Sequence, residues 1–168
     1  MSIYKKNYLE MIRLKTSILF GAAAYGGARI GGTNENEARE LEKMATNVGL
    51  GFQIWDDYLD ATASEDVLGK PSGSDIRQGK RTLLVIEALN RANSEQRKRL
   101  LEILDSENND DDIIEAVKIM DDCGALKECH KQANQYLEGA RKILLKYPES
   151  EARTLFEELL EYMVTRGH

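Results

Sequence analysis

The sequence predicts an all-α protein, and three observations support that prediction. Only two prolines occur in 168 residues, so few positions are barred from a helix interior. Apolar residues recur every three or four positions along nearly the whole chain, which is the period of an amphipathic helix. TLLVI has the composition of a strand, but it continues into the helical pattern of EALNRA. Neither an internal repeat nor a linker divides residues 1–168, so we expect one domain.

The first helices are predicted from periodicity and from their terminal residues. One helix covers residues 3–30, and the sequence GGTNENE breaks it. Asn34 and Glu37 have the spacing of a capping box for the next helix. A polar loop covers residues 61–79 after that helix. The apolar positions of the second helix share one face: Leu41, Met44, Ala45, Val48, Phe52, Trp55 and Leu59.

The second half of the chain is predicted to be helical, with short polar turns. TLLVIEALNRA is a buried helix, and SEQRKRLLEIL follows behind a capping box of Asn93 and Gln96. SENNDDD is predicted to be an acidic turn before the helix DDIIEAVKIM. GALKECHKQANQYLEGARKILLKY and PESEARTLFEELLEYMVTR form the last helices, with Pro148 expected in a first helical turn.

Charge and composition argue against several classes of function. The net charge of −6 argues against a surface that binds nucleic acid or anionic membranes. Cys123 and Cys129 are too few for a disulfide scaffold and lack metal-finger spacing. We therefore expect a reduced, cytoplasmic protein whose cysteines pack as small apolar residues. The charged N-terminus does not resemble a signal peptide, and SILFGAAAYGGA is too short for a membrane span, so no stable membrane anchoring is expected.

Three aspartates interrupt the apolar pattern of the second helix in the sequence FQIWDDYLD. Asp56, Asp57 and Asp60 are three or four residues apart and so reach the same side of a helix, where like charges repel. A divalent cation removes that repulsion, and Mg²⁺ prefers oxygen ligands that it shares with substrate phosphates. The alternative is a solvated acidic helix face. The interleaved Phe52 and Trp55 favour a packed helix instead.

The loop that follows these aspartates is basic. Lys70 follows one glycine and Lys80 follows another, Gly79. Glycine allows the backbone to come near a large anion, and lysine supplies a charge suited to phosphate oxygens. An acidic helix followed by a basic loop therefore indicates a metal ion and a diphosphate bound between them. A charged surface loop is the alternative.

These motifs resemble those of a known family. GFQIWDDYLD followed by GKPSGSDIRQGKRTLLVIEAL resembles the second aspartate-rich region of the trans-isoprenyl diphosphate synthases, the polyprenyl synthetase family. YLEMIRLKTSILFGAAAYGGARIGG resembles the helix of that family with a Lys-Thr pair, here Lys15 and Thr16. CGALKECHKQANQYLEGARKIL and YMVTR resemble its last helices. The resemblance covers nearly the whole chain and implies an isoprenoid-synthase-type helical bundle.

The resemblance covers only the C-terminal half of the family's fold. Whole enzymes have an earlier DDxxD-type motif followed by arginines, and this sequence has no counterpart of it. Asp110–Asp112 and Asp121–Asp122 come after the matching region. We therefore expect either a fragment or a chain that works as a homo-oligomer or with a partner chain supplying the missing half.

The resemblance also implies roles for individual residues. Three carboxylates would hold Mg²⁺ bridged to an allylic diphosphate: Asp56, Asp57 and Asp60. Three cations would contact either that diphosphate or the carboxylates that bind the metal: Lys15, Lys70 and Lys80. Two side-chain oxygens would lie near the allylic carbon, those of Thr16 and Gln53. The predicted catalytic residues are Lys15, Thr16, Gln53 and Asp56.

The implied activity is prenyl transfer. An allylic diphosphate ionises with the help of Mg²⁺, isopentenyl diphosphate attacks the cation, and a proton is lost. Metal ions and lysines neutralise the leaving diphosphate, and an apolar pocket with few oxygen dipoles protects the cation. The small residues between Leu19 and Gly32 would either leave room for a prenyl tail or allow close helix packing. The alternative function is that of a non-catalytic diphosphate-binding or regulatory subunit, or of an inactive fragment.

Overall fold

A computed structural model describes residues 3–63 and 72–165 of the chain. The described ranges contain no strand, so the all-α prediction is confirmed. None of their helices combines the length and apolar character that crossing a lipid bilayer requires. In chain order the helical elements are α1 (Ile3–Ile12), a π-helical turn (Arg13–Ser17), α2 (Ile18–Ile30), α3 (Glu35–Thr62), α4 (Ser74–Arg77), α5 (Leu83–Arg91), α6 (Ser94–Asp105), α7 (Asp110–Asp122), α8 (Ala125–Leu144) and α9 (Glu151–Thr165).

The described residues form two compact units. Of the described residues, the first unit contains 3–8, 54–63 and 72–131, and the second contains 9–53 and 132–165. Three long segments, α1, α3 and α8, contribute residues to both units. The aspartates of α3 belong to the first unit, whereas the preceding glutamine, Gln53, belongs to the second.

The first unit has a buried core to which α3, α5, α6, α7 and α8 contribute. Cys129 is 1% exposed, which confirms the prediction that it packs as a small apolar residue. Burial of these side chains removes apolar surface from water and supplies most of the stability of such a unit. Its largest fully buried side chains are those of Trp55, Ile54, Leu83, Val85, Leu100, Ile103, Met120 and Cys129.

A buried carboxylate attaches α1 to the rest of the first unit. Lys5 on α1 donates to Glu87 on α5 at 2.7 Å, and Arg91 donates to the other oxygen of the same carboxylate at 3.2 Å. Arg91 also pairs with Glu128 on α8 at 3.1 Å. Because Glu87 is buried, these cations are needed to offset the cost of removing its charge from water.

Glycines allow the Lys-Thr segment and α2 to lie against α3 in the second unit. A Cβ atom at Gly49 would lie 2.6 Å from Cα of Ser17, and one at Gly21 would lie 2.5 Å from Oγ1 of Thr46. Both contacts are too short for any residue with a side chain at these backbone positions, so close helix packing explains Gly21. The core cluster of this unit comprises Met44, Val48, Leu137, Ala140, Ile143, Leu144, Leu160 and Met163.

Both predicted capping boxes are confirmed. The amide of Glu37 donates to the side chain of Asn34 at 3.0 Å, and the amide of Asn34 donates back to Glu37 at 3.4 Å. The amide of Gln96 donates to Asn93 at 2.9 Å, with the reciprocal bond at 3.2 Å. Each pair satisfies two amides that the helix itself leaves without partners.

The first predicted helix is not a continuous α-helix. Arg13–Ser17 forms a π-helical turn between α1 and α2, and this turn contains Lys15 and Thr16. A π-helical turn accommodates one extra residue, so it changes the direction in which the following side chains point. The polar loop also differs from the prediction, since α3 continues to Thr62 and the short helix α4 lies within residues 61–79.

The predicted acidic turn SENNDDD and the predicted place of Pro148 in a first helical turn were both wrong. Asn109 caps α7 by accepting from the amide of Asp112 at 3.0 Å, so Asp110–Asp112 form the first helical turn instead of an acidic turn before it. Their negative charges are favourable there, next to the positive end of the helix dipole. Pro148 lies before α9, because the hydroxyl of Ser150 accepts from the amide of Arg153 at 3.2 Å and starts the helix later.

Candidate active site

Thr16 and Gln53 come together in the second unit. The hydroxyl of Thr16 donates to Oε1 of Gln53 at 3.0 Å, which joins the π-helical turn to α3 across 37 residues of sequence. Both side chains are half-buried. The bond holds the glutamine carbonyl and the threonine hydroxyl at one place, so two oxygen dipoles share a fixed orientation. Short π-helical turns are frequent at functional sites.

Lys15 lies beside Thr16 in the π-helical turn, and its side chain is exposed. It makes no ion pair with residues of the described ranges. An ammonium group in this state can bind an anion without first breaking a contact within the protein. The prediction that it contacts a diphosphate remains a prediction.

The three aspartates of α3 lie in different environments. Asp56 is exposed, whereas Asp57 is 8% exposed and Asp60 is 2% exposed. A buried carboxylate must accept hydrogen bonds from protein donors, because removing its charge from water is costly. The sequence spacing places all three carboxylates on one side of a helix, but burial separates the exposed Asp56 from the buried Asp57 and Asp60.

Asp57 is held by a tyrosine from the N-terminal helix. The phenol of Tyr8, itself buried, donates to Oδ2 of Asp57. Burial and the negative charge of Asp57 raise the pKa of Tyr8, so the phenol stays a donor throughout the physiological pH range. Tyr8 was not predicted as a site residue. The spacing of α1 indicates only an apolar-face tyrosine, and its hydrogen-bond partner is distant in sequence.

Asp60 is held by the turn at residues 72–75. The hydroxyl of Ser74 donates to Oδ1 of Asp60 at 2.6 Å, and the amide of Asp75 donates to Oδ2 at 2.8 Å. The main-chain carbonyl of Asp60 also accepts from the amide of Gly73 at 2.6 Å. These contacts explain why the sequence GSD follows the aspartates, a relation that residue types alone did not reveal.

Of the two lysines predicted in the loop, only Lys80 lies within the described residues. The ammonium of Lys80 donates to Oδ1 of Asp75 at 2.6 Å and remains half exposed. Lys70 lies outside the described residues. Within residues 3–63 and 72–165, no three acidic, histidine or cysteine side chains are arranged to hold a metal ion together. The assignment of Mg²⁺ to Asp56, Asp57 and Asp60 therefore remains a prediction.

The second unit also contains an apolar cavity of about 570 Å³. Ala23, Ala24 and Gly27 of α2 form part of its wall, and Phe20 lies one turn nearer to Thr16. The small residues of α2 therefore serve close packing at Gly21 and border open space further along. Leu41, Met44, Leu144, Phe156 and Leu160 also line this cavity.

Comparisons with known proteins find similarity in both sequence and fold. The sequence profile of the family described as polyprenyl synthetase matches residues 1–120. A short chain isoprenyl diphosphate synthase from Methanothermobacter thermautotrophicus is 39% identical over 168 residues, which are 100% of this chain and 51% of that protein. The crystal structure of a geranylgeranyl pyrophosphate synthetase from Pyrococcus horikoshii matches with a TM-score of 0.90 and 38% identity, over 96% of this chain and 49% of that one.

A second solved structure has bound ligands. It is the polyprenyl synthase of Caulobacter crescentus complexed with calcium and isoprenyl diphosphate, with a TM-score of 0.87 and 33% identity over 96% of this chain and 49% of that one. The chain spans about half the length of the curated relatives it matches. The match of both sequence and fold nevertheless extends along most of its residues, and the chain therefore belongs to the polyprenyl synthetase family.

Proposed function

We propose that this chain provides residues for Mg²⁺-dependent prenyl transfer, in which isopentenyl diphosphate attacks the cation formed from an allylic diphosphate. The observation that carries the proposal is the hydrogen bond between Thr16 and Gln53. It holds two oxygen dipoles in a fixed orientation within the second unit. The names of the similar proteins, which are isoprenyl and geranylgeranyl diphosphate synthases, support the same chemistry.

The donor chemistry of the aspartates fits Mg²⁺. All three offer carboxylate oxygens, the ligand type that this ion prefers, and Asp56 is the one exposed to solvent. Asp56 would be the direct ligand, and Asp57, held by Tyr8, would be the next candidate. When bound, the ion supplies positive charge that stabilises the departing diphosphate. The Caulobacter enzyme, solved with calcium and isoprenyl diphosphate, supports a divalent cation in this role.

The remaining charged and polar residues would act on the diphosphate and on the allylic cation. Lys15, Lys70 and Lys80 would neutralise diphosphate oxygens as point charges. The paired oxygens of Thr16 and Gln53 would stabilise positive charge on the allylic carbon, because their dipoles are oriented before the charge develops. The lysines would lower the barrier to ionisation, and the oxygens would stabilise its product.

The apolar cavity of the second unit offers space for a hydrocarbon chain. Its volume of about 570 Å³ lies within the range of roughly 300–1,000 Å³ that is usual for ligand pockets. Most of its lining side chains are apolar, which suits a prenyl tail, and Tyr147, Ser150 and Arg153 add a few polar groups.

We also propose that full activity requires the half that has no counterpart in this sequence, provided by the rest of a longer chain or by a partner chain, and that this chain associates with a partner or with another copy of itself. The chain spans about half the length of the relatives it matches, and the earlier aspartate motif of the family has no counterpart in this sequence. Exposed apolar side chains lie on α1, the π-helical turn and α2 at helical spacing. Such a patch is typical of an interaction surface. These residues are Met11, Leu14, Ile18 and Leu19, with exposures of 46%, 53%, 42% and 68%.

Prenyl transfer is tested with labelled isopentenyl diphosphate, an allylic diphosphate and Mg²⁺. The chain is assayed alone and together with the separately expressed N-terminal half of the Pyrococcus relative. We expect turnover in the mixture, and a loss of about 100-fold or more in Asp56→Asn because a ligand of the leaving-group metal is removed. Asp111→Asn, an exposed carboxylate on α7, is the charge-matched control and should retain full turnover.

The possible results separate the candidate functions. Turnover by the mixture that Asp56→Asn abolishes supports prenyl transfer. Mg²⁺-dependent diphosphate binding without turnover in either sample would favour the non-catalytic, diphosphate-binding subunit. Absence of both would contradict the proposal. Association of the chain is tested by light scattering. A well-folded monomer at high concentration would argue against association through the exposed apolar residues.

A further inference from the structure

Asp60 is the centre of a group of hydrogen bonds with the turn at residues 72–75. Its two carboxylate oxygens accept from the hydroxyl of Ser74 and the amide of Asp75, and its carbonyl accepts from the amide of Gly73. The hydroxyl of Ser72 also donates to that carbonyl at 3.4 Å. The aspartate therefore binds each of the four residues of this turn, and it is 2% exposed.

The turn can adopt this conformation only because residue 73 is glycine. Gly73 has a φ of 72°, in the left-handed region that side chains disfavour. A Cβ atom there would lie 2.3 Å from Cγ2 of Ile113, so a neighbouring helix also excludes one. The turn is thus held against α7 on one side and bound to Asp60 on the other, which limits the positions open to it.

The same turn contains Asp75, which binds the ammonium group of Lys80. Asp75 on α4 accepts from the ammonium of Lys80 at 2.6 Å, and the amide of Lys80 donates to the carbonyl of Asp75 at 2.9 Å. The Asp75 side chain is 17% exposed, and that of Lys80 is 51% exposed. One side of the ammonium is therefore held by protein, while another side is open to an anion from solvent.

We infer that Asp60 acts as a positioning residue, which holds the turn and, through Asp75, fixes Lys80 for contact with a diphosphate. This inference rests on the proposed function, in which Lys80 binds the diphosphate. It gives Asp60 a task different from direct coordination of Mg²⁺. Each of its carboxylate oxygens already accepts a short hydrogen bond from a protein donor, and coordination would have to compete with those donors. Asp56 keeps the role of direct ligand.

A role limited to stabilising the turn would make a different prediction. In that case Asp60→Asn would lower stability, but its effect on diphosphate binding would not depend on whether Lys80 is present. A positioning role requires that the two residues act as one unit. Their effects on binding must then be non-additive in a double-mutant cycle, which is the diagnostic for residues that share a network.

The test uses the full chain and its variants Asp60→Asn, Lys80→Gln and the double variant. Asp105→Asn is the matched control, because it removes a carboxylate that accepts from Arg81 on the exposed surface of the same unit. Inorganic pyrophosphate binding is measured by calorimetry with Mg²⁺ present, and Mn²⁺ binding by electron paramagnetic resonance. Nitrogen-15 spectra of the lysine ammonium groups report whether Lys80 remains hydrogen-bonded.

We expect Asp60→Asn and Lys80→Gln each to weaken pyrophosphate binding about tenfold, the effect of losing one hydrogen bond to a charged group. The double variant should bind no more weakly than either single variant. Mn²⁺ affinity should stay unchanged in Asp60→Asn, and the ammonium signal of Lys80 should lose its protection from solvent exchange. Asp105→Asn should behave as the wild type in every measurement.

Additive losses, or a loss of Mn²⁺ affinity in Asp60→Asn, would overturn the inference and favour Asp60 as a metal ligand. An ammonium signal of Lys80 that is unchanged in Asp60→Asn would overturn it as well. Failure of the proposed function is recognised separately. In that case the wild type would not bind pyrophosphate with Mg²⁺ and Asp56→Asn would change nothing, while the Lys80 signal would still report on the link to Asp60.

Discussion

Tyr8 on α1 donates its phenolic hydrogen to Asp57 on α3, and both side chains are buried within the first unit. The two residues are 49 positions apart in sequence. A buried carboxylate is tolerated only when donors replace the water that it has lost. The pair therefore ties the N-terminal helix to the aspartate segment of α3 and fixes the orientation of one predicted metal ligand.

Replacing Tyr8 with phenylalanine should destabilise the protein by about 2 kcal/mol, because Asp57 would lose a donor while staying buried. The ring and its packing are retained, so the loss reports on the hydrogen bond. The measurement is urea unfolding near neutral pH, followed by circular dichroism. A variant as stable as the wild type would show that the phenol contributes nothing to holding Asp57.

The contribution of Tyr8 should also depend on pH in a defined direction. Burial, followed by the negative charge of Asp57, raises the pKa of Tyr8 above its ordinary value of 10.0. The unfolded chain therefore releases this proton at lower pH than the folded protein does. The contribution is fully present below pH 10 and is lost as pH rises toward the folded pKa. The stability difference between wild type and Tyr8→Phe should narrow at alkaline pH, whereas parallel pH curves would contradict this assignment.

Glu87→Gln should destabilise the first unit by about 3 kcal/mol. Lys5 and Arg91 both donate to this buried carboxylate, and its neutralisation would remove the negative charge that the two cations share there. Glu102→Gln is the control, because its pair with Lys98 is exposed and 3.8 Å long, and such pairs contribute about 0.5 kcal/mol or less. Equal effects of the two substitutions in chemical unfolding would contradict the importance of burial here.

Gly73→Ala and Gly124→Ala should differ in their effect on stability. Both glycines have positive φ angles, 72° and 76°, so both substitutions carry the conformational cost of about 1 kcal/mol. A Cβ atom at Gly73 would also lie 2.3 Å from Ile113, whereas none of the described atoms lies within 4 Å of one at Gly124. Thermal unfolding should show a larger loss for Gly73→Ala, and shortening Ile113 to alanine should recover part of it.

The two cysteines should react at different rates with a thiol reagent. Burial raises the pKa of Cys129, so little thiolate forms and the reagent has poor access to it. Cys123 is only partly buried at the end of α7 and should be labelled first. Mass spectrometry of the native protein at mildly alkaline pH should find one modified thiol, at Cys123. Rapid double labelling would contradict the buried position of Cys129.

Much of this fold could be predicted because local chemistry determines it. Apolar periodicity located α3 through its face of seven residues, and the capping boxes at Asn34 and Asn93 depend on residues only three positions apart. The family resemblance also predicted that the side-chain oxygens of Thr16 and Gln53 lie near the same allylic carbon. The structure joins these two side chains by a hydrogen bond. The start of α9 was missed because Ser150 competes with Pro148 as a signal, and residue types do not show which one begins the helix.

The sequence by itself determined the helical class, the family and the types of charged residue available near the aspartates. The tertiary structure decided the environment of each aspartate: the side chain of Asp56 is exposed, that of Asp57 is bound by Tyr8, and that of Asp60 is bound by the turn that contains Ser74 and Asp75. The physical reason is that spacing along a helix specifies only the side on which a carboxylate projects. Burial and hydrogen-bond donors depend on segments that are distant in sequence, and those segments assign three identical side chains to three environments.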